Sequence, residues 1–150
     1  METFGRLDRG DGVELAWAKH EGRSPTVVFF TGFRSDMTGD KAGRLAAFCA
    51  ERGQAMLRFD YSGHGASGGR FEDGTIGSWT QDALAVIDRL TDGKLVLVGS
   101  SMGGWIALLA ALATSAVPPA AATAWATSTV PRSTPPVTSA GSTCRTTNRS

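Results

Sequence analysis

The segment from Leu95 to Trp105, Leu-Val-Leu-Val-Gly-Ser-Ser-Met-Gly-Gly-Trp, constrains the fold more than any other part of the chain. It places a G-x-S-x-G pentapeptide after an apolar run typical of a buried parallel strand and before an apolar run typical of a helix. A sharp strand-to-helix turn of this kind lifts a serine hydroxyl out of the backbone. The pattern therefore predicts Ser101 as a nucleophile, with the backbone N–H of Met102 as a donor to the oxyanion that forms when a carbonyl is attacked.

Two other interpretations of this segment stay open. A glycine-rich turn before an ordinary helix needs no chemistry, although the apolar runs on both sides favour the nucleophile. A phosphate-binding loop fits the spacing of Gly99 and Gly104, but Trp105 and Ile106 stand where that loop requires Lys and Ser or Thr. The run Ile106–Ala113 is apolar on nearly every face, which predicts a buried helix.

Apolar periodicity predicts alternating strands and helices before this turn. Strands are predicted at Phe4–Leu7, Val13–His20, Thr26–Phe30, Ala55–Phe59 and Leu95–Val98, the first two as an antiparallel hairpin. Helices are predicted at Lys41–Arg52, at Trp79–Leu90 with Asp82 near its start, and after Ser101 to about Ala113. This order predicts an α/β fold with an antiparallel start, then parallel strands with helices on both faces of the sheet.

Composition argues against several classes of function. The 150 residues carry a formal net charge of +1, which gives no electrostatic basis for binding nucleic acid. No apolar run is long enough to span a bilayer, and the N-terminus resembles neither a signal peptide nor a transit peptide. We therefore expect a soluble cytoplasmic protein. Two cysteines, Cys49 and Cys144, are too few for a disulfide framework, and Cys49 is predicted to be a small core residue.

The composition changes near Thr114. From there to Ser150 the chain is mainly Thr, Ala, Ser and Pro, and it contains no Leu, Ile, Phe, Asp, Glu or His. Such a segment buries too little apolar surface to offset the entropy lost on ordering. Residues 1–113 are therefore predicted as one folded domain and residues 114–150 as a disordered tail.

A glycine also follows the predicted strand Thr26–Phe30. Gly32 is followed by Phe33, and the loop after this strand is where a second oxyanion donor is expected in such a fold. The backbone N–H of Phe33 is the candidate. A turn that only starts the next helix remains the alternative.

The residues Gly63-His64-Gly65-Ala66-Ser67-Gly68 match the G-x-G-x-x-G pattern of dinucleotide-binding loops. That motif must open a helix that receives the pyrophosphate, and the residues after Gly68 do not have a helical pattern. His64 precedes Ser101 in the chain, whereas a hydrolase of this kind supplies its base after the nucleophile. We therefore favour a structural histidine bonded to the loop backbone over a general base.

Four segments together resemble the α/β-hydrolase superfamily: Thr31–Ala42, Phe59–Gly69, Ser78–Leu90 and Gly99–Ala113. The resemblance is nearest to the branch of mitochondrial palmitoyl-protein thioesterases and acyl-glucuronide esterases with their bacterial relatives. It implies the N-terminal portion of an α/β-hydrolase sheet, with Ser101 as the acyl-accepting nucleophile and Phe33 and Met102 as oxyanion donors. The implied reaction is hydrolysis of a small carboxylic ester or acyl thioester through an acyl-serine, without metal or organic cofactor.

The chain departs from this family after the nucleophile. α/β-Hydrolases carry an acid and then a histidine after the serine, but no Asp, Glu or His follows Ser101 here. We therefore expect a hydrolase truncated by a shift of reading frame near codon 113, or a catalytically dead binding fragment that retains the pocket. Without further strands, Leu95–Val98 becomes an exposed apolar edge, which predicts self-association.

Overall fold

Five strands form one mixed sheet in the computed structural model, which describes residues 1–114. The strands are β1 (Glu2–Asp8), β2 (Glu14–His20), β3 (Arg23–Phe30), β4 (Gln54–Phe59) and β5 (Leu95–Gly99). Their order across the sheet is β1-β2-β4-β3-β5. β1 and β2 form the predicted antiparallel hairpin, β2 also pairs antiparallel with β4, and β3 runs parallel to both β4 and β5.

Three helices cover the sheet: α1 (Asp40–Glu51), α2 (Ile76–Leu90) and α3 (Met102–Ala113). α2 begins earlier than predicted because Thr75 and Ser78 form a capping box. The Thr75 hydroxyl accepts from the Ser78 N–H at 3.1 Å, and the Ser78 hydroxyl accepts from the Thr75 N–H at 2.8 Å. The predicted place of Asp82 near the helix start is therefore wrong, since it lies in the middle of α2 and is fully buried.

Helices pack on both faces of the sheet, as predicted, and divide the core in two. The larger core lies under α2 and α3 and includes Val28, Phe30, Leu57, Phe59, Val86 and Ile106. The smaller core lies under α1 and includes Phe29, Ala42, Cys49 and Met56. Cys49 is thus the predicted core residue, and its burial raises the pKa of the thiol.

The prediction that α3 is buried on nearly every face is wrong. Its buried residues are Gly103, Ile106, Ala107 and Ala110. Trp105 and Leu112, on the other side, are 57% and 85% exposed. The reason is that β5 has one partner, β3, in the described part of the chain, so no further strand or helix there covers the outer side of α3.

α3 ends at Ala113, where the composition changes. The predicted disordered tail, 114–150, lies outside the described residues apart from Thr114. Among the helices of residues 1–114, none is both long and apolar enough to cross a membrane.

Candidate active site

Ser101 lies in the turn between the end of β5 at Gly99 and the start of α3 at Met102. Its backbone has φ 55° and ψ −123°, a conformation that residues other than glycine rarely adopt. The side chain is exposed and does not cap the helix. The turn is closed by two backbone hydrogen bonds, Gly103 N–H to Ser100 O at 3.0 Å and Gly104 N–H to Ser101 O at 2.9 Å.

Two glycines allow this turn because no side chain fits at either position. A Cβ at Gly99 would lie 2.4 Å from the carbonyl oxygen of Gly103. A Cβ at Gly103 would lie 2.1 Å from the carbonyl oxygen of Phe30, the last residue of β3. The turn therefore requires glycine at both of these positions of the pentapeptide.

The loop after β3 lies directly beside this turn. Ser100 N–H donates to Phe30 O at 3.1 Å, and a Cβ at Gly32 would come within 3.5 Å of the Ser101 Cβ. Phe33 and Met102 therefore lie on two segments that meet at Ser101. Neither of their backbone N–H groups has an acceptor within residues 1–114.

Aromatic side chains support the loop that carries Phe33. The Phe33 ring packs edge-on against Phe71 at 5.1 Å and Trp79 at 6.3 Å between centroids. The Arg34 guanidinium lies over the Phe71 ring at 4.8 Å. Contacts of this kind add to ordinary burial and orient the residues involved. The Phe33 backbone is thereby held although its side chain is 56% exposed.

A cavity of about 290 Å³ opens next to the turn. Its wall includes Thr31, Gly32, Ser35, Asp36, Asp40, Lys41 and Ser100. The Lys41 ammonium donates to the Ser100 hydroxyl at 3.0 Å. Hydrogen bonds from the Thr38 hydroxyl and amide lower the pKa of Asp36. No local pattern predicts the Lys41 contact, because it joins residues 59 positions apart.

The loop Gly63–Gly68 has a structural explanation. Asp60, at the end of β4, is 1% exposed and accepts from Met37 N–H at 2.7 Å and Ala66 N–H at 2.9 Å. Burial raises the pKa of its carboxyl. The loop leads into a short 3-10 turn at Phe71–Asp73, and α2 begins only at Ile76. No helix opens at the glycines, so the loop lacks the geometry of a dinucleotide site.

His64 is enclosed within the same loop. It is 4% exposed, and its ring packs against Tyr61, Phe71 and Trp79 with centroids 5.0 to 5.6 Å away. Its Nδ1 lies 3.2 Å from the carbonyl oxygen of Ser62, which can only accept, so Nδ1 is the donor in this contact. Nε2 is buried without a partner. This is the backbone-bonded structural histidine that the sequence favoured.

Asp82 is a buried carboxylate that the sequence did not identify. It accepts from the Ser62 N–H at 2.8 Å and hydroxyl at 2.7 Å, and from Arg9 at 2.7 Å. Arg9 follows β1, so its bond to Asp82 ties the hairpin to α2. The two bonds from Ser62 tie the loop after β4 to the same helix. Within residues 1–114 no group of three or more His, Cys, Asp or Glu side chains is arranged to hold a metal ion.

Comparison with known proteins agrees with this architecture. The family model described as "Alpha/beta hydrolase family" matches residues 27–146. The chain belongs to the alpha/beta hydrolase family. Among curated proteins it is 49% identical over 107 residues to human palmitoyl-protein thioesterase ABHD10, mitochondrial, and 42% identical over 107 residues to the mouse protein of that name. These matches cover 71% of this chain and 35–36% of the relatives, so the chain spans about a third of their length.

Solved structures are similar to this fold. Mouse alpha/beta hydrolase domain-containing protein 10 superposes with a TM-score of 0.74 at 40% identity, over 77% of this chain and 46% of that one. Est1E from Butyrivibrio proteoclasticus, solved with ferulic acid bound, superposes with a TM-score of 0.65 at 30% identity, over 71% and 46%.

Proposed function

We propose that this chain carries the acyl-accepting part of a serine hydrolase site that acts on small carboxylic esters or acyl thioesters. Ser101 is the nucleophile, and the backbone N–H groups of Phe33 and Met102 are the oxyanion donors. The observation that carries the proposal is an exposed serine at positive φ on a strand-to-helix turn, next to two segments whose Phe33 and Met102 N–H groups have no acceptor within residues 1–114. The relatives support the substrate class, since one is named a thioesterase and another was solved with ferulic acid.

The chemistry follows from this arrangement. The Ser101 oxygen attacks the carbonyl carbon and loses its proton to solvent water, which later protonates the leaving group, and the carbonyl oxygen becomes negative between the two N–H donors. The N-terminus of α3 adds its positive end to the same place. Collapse of the intermediate expels the alcohol or thiol and leaves an acyl-serine, which water must then hydrolyse.

The step that this chain supports poorly is proton transfer. No Asp, Glu or His follows Ser101 in the sequence, and His64 is enclosed by three aromatic rings. Hydrolases that lose their triad retain roughly 10³–10⁴-fold acceleration over water from the oxyanion donors and binding. We therefore expect acylation that is slow and deacylation that is slower.

The direct experiment is a burst assay with p-nitrophenyl butyrate, followed by intact-protein mass spectrometry. We expect release of about one p-nitrophenolate per chain and a butyryl adduct, then little further turnover, because deacylation lacks a base. Ser101→Ala should lose the burst and keep the melting temperature. A wild-type chain with neither burst nor adduct would refute the proposal.

The second candidate function is a binding fragment without catalysis, and the absence of an acid and histidine after Ser101 favours it. Under this alternative, butyrate esters raise the melting temperature but no adduct forms. Detection of a butyryl adduct on Ser101 would support the catalytic function over the binding fragment.

Truncation by a change of reading frame near codon 113 is part of the same proposal. It is supported by the composition change near Thr114. Translation of the gene in its other frames beyond that codon should give strand and helix patterns with an Asp and a later His. A cytoplasmic location of this chain is a separate prediction. The relatives named above are mitochondrial proteins.

Self-association through β5 is proposed from the same region. Within residues 1–114, β5 has a neighbour on one side, carries no charged residue and exposes 42% of Val96. Such an edge recruits other chains. Sedimentation velocity should show dimers or larger species that Val96→Lys reduces, whereas Phe4→Lys, on the opposite edge strand, should not. A monomer at all concentrations would refute this part.

A further inference from the structure

Lys41 is an ionisable residue whose side chain contacts the turn that carries Ser101. It is the second residue of α1, and its ammonium reaches the hydroxyl of Ser100, the residue before Ser101. α1 follows the loop that bears Phe33. The bond therefore joins the segment with one proposed oxyanion donor to the segment with the proposed nucleophile and the other donor.

Stability does not explain this contact well. Lys41 is exposed, and hydrogen bonds of exposed charged side chains contribute little to folding. The two segments are already joined by the backbone bond from Ser100 N–H to Phe30 O at 3.1 Å and by the close approach of Gly32. What Lys41 adds is a positive charge next to the turn and a fixed orientation for Ser100. An ammonium only donates, so the Ser100 oxygen accepts and its own proton must point elsewhere.

We infer that Lys41 is a positioning residue that makes Ser101 more reactive through its charge. The inference rests on the proposed function of Ser101. A cation near the turn favours the negative charge that develops on the serine oxygen and on the carbonyl oxygen during attack. Two carboxylates, Asp36 and Asp40, line the same cavity and oppose this effect. Hydrogen bonds from the Thr38 amide and hydroxyl, at 2.8 and 2.5 Å, favour the ionised form of Asp36, so the Lys41 charge acts against this carboxylate too.

The test is the second-order rate of labelling of Ser101 by a fluorophosphonate probe, measured on the full chain by mass spectrometry. Lys41→Met should lower the rate about tenfold, since the charge acts at short range at the protein surface, where the effective dielectric constant is lower than in bulk water. Lys41→Arg keeps a cationic donor and should stay within about twofold of wild type. Lys94→Met removes another exposed lysine, away from the turn, and serves as the matched control, with an unchanged rate.

The salt dependence of labelling and the melting temperatures distinguish an effect of the Lys41 charge from an effect of altered structure. Raising NaCl to about 1 M should slow wild-type labelling and leave Lys41→Met unaffected, because salt screens an exposed charge. Melting temperatures of the variants should match wild type. Equal labelling of wild type and Lys41→Met, or an arginine variant as slow as the methionine variant, would overturn this inference alone. Failure of wild-type Ser101 to label would overturn the proposed function and this inference with it.

Discussion

Two glycine-rich turns of this chain follow parallel strands, one after β4 and one after β5, and they differ in how they use their polar groups. After β4, Asp60 binds two backbone N–H groups, and the Ser67 hydroxyl donates to the Asp60 carbonyl at 2.7 Å. After β5, the Ser101 side chain makes no capping bond and the Met102 N–H has no acceptor within residues 1–114.

The glycines have different structural roles in the two turns. Gly65 lies where a Cβ would meet the Asp60 carboxylate at 2.1 Å, so it makes room for a buried structural group. Gly99 and Gly103 make room for backbone, and they leave Ser101 exposed at positive φ. A turn whose polar groups are satisfied internally stabilises the fold, whereas one that leaves them free is suited to a ligand. This contrast separates two motifs that are similar as glycine patterns.

The largest effect is expected from a methyl group in the β5 turn. Gly103→Ala places Cβ against the Phe30 carbonyl, which backbone movement alone can relieve, and should cost about 3 kcal/mol of unfolding free energy. Gly104→Ala is the matched control, because its Cβ would have no neighbour closer than 3.8 Å. Urea denaturation checks both, and similar stabilities for the two variants would contradict the packing at Gly103.

The β4 turn should be sensitive to loss of its carboxylate. Asp60→Ala leaves the Met37 and Ala66 N–H groups without partners in a buried place, at a cost of about 2–3 kcal/mol. Asp92→Ala, at an exposed position, should change the unfolding free energy by less than about 0.5 kcal/mol. Equal effects in urea denaturation would show that Asp60 does not organise the turn.

His64 should matter for stability and not for reactivity. His64→Asn retains a donor for the Ser62 carbonyl but loses the ring packing, so we expect a loss of about 1–2 kcal/mol. Fluorophosphonate labelling of Ser101 should stay within about twofold of wild type, because the ring is enclosed by aromatic side chains. A loss of labelling by several orders of magnitude would identify His64 as the base.

The smallest effect is expected at Asp36 and depends on pH. Hydrogen bonds from Thr38 lower the pKa of the Asp36 carboxyl in the folded chain below its ordinary value of 3.8. The carboxylate therefore stabilises the fold above pH 3.8, and this contribution is lost as pH falls through the lowered pKa. Asp36→Asn should therefore cost less than about 1 kcal/mol at pH 7 and nearly nothing at pH 2. Melting temperatures across that range test the sign.

Much of the fold could be predicted because it depends on local pattern. The hairpin, the parallel strands and the three helices follow apolar periodicity, and the Ser101 turn follows from glycines beside an apolar strand. Asp82 and Lys41 could not be predicted, since their partners are distant in sequence and an isolated charge gives no periodic signal. The exposed side of α3 was missed because periodicity reports apolarity, not what is present to cover it.

The most direct test of the central proposal is to map the site of covalent labelling by a fluorophosphonate probe with peptide mass spectrometry. We predict modification of Ser101, retained in Ser100→Ala and absent in Ser101→Ala, with unchanged melting temperatures. Modification at Ser100 or at another hydroxyl, or none on the folded wild-type chain, would contradict it.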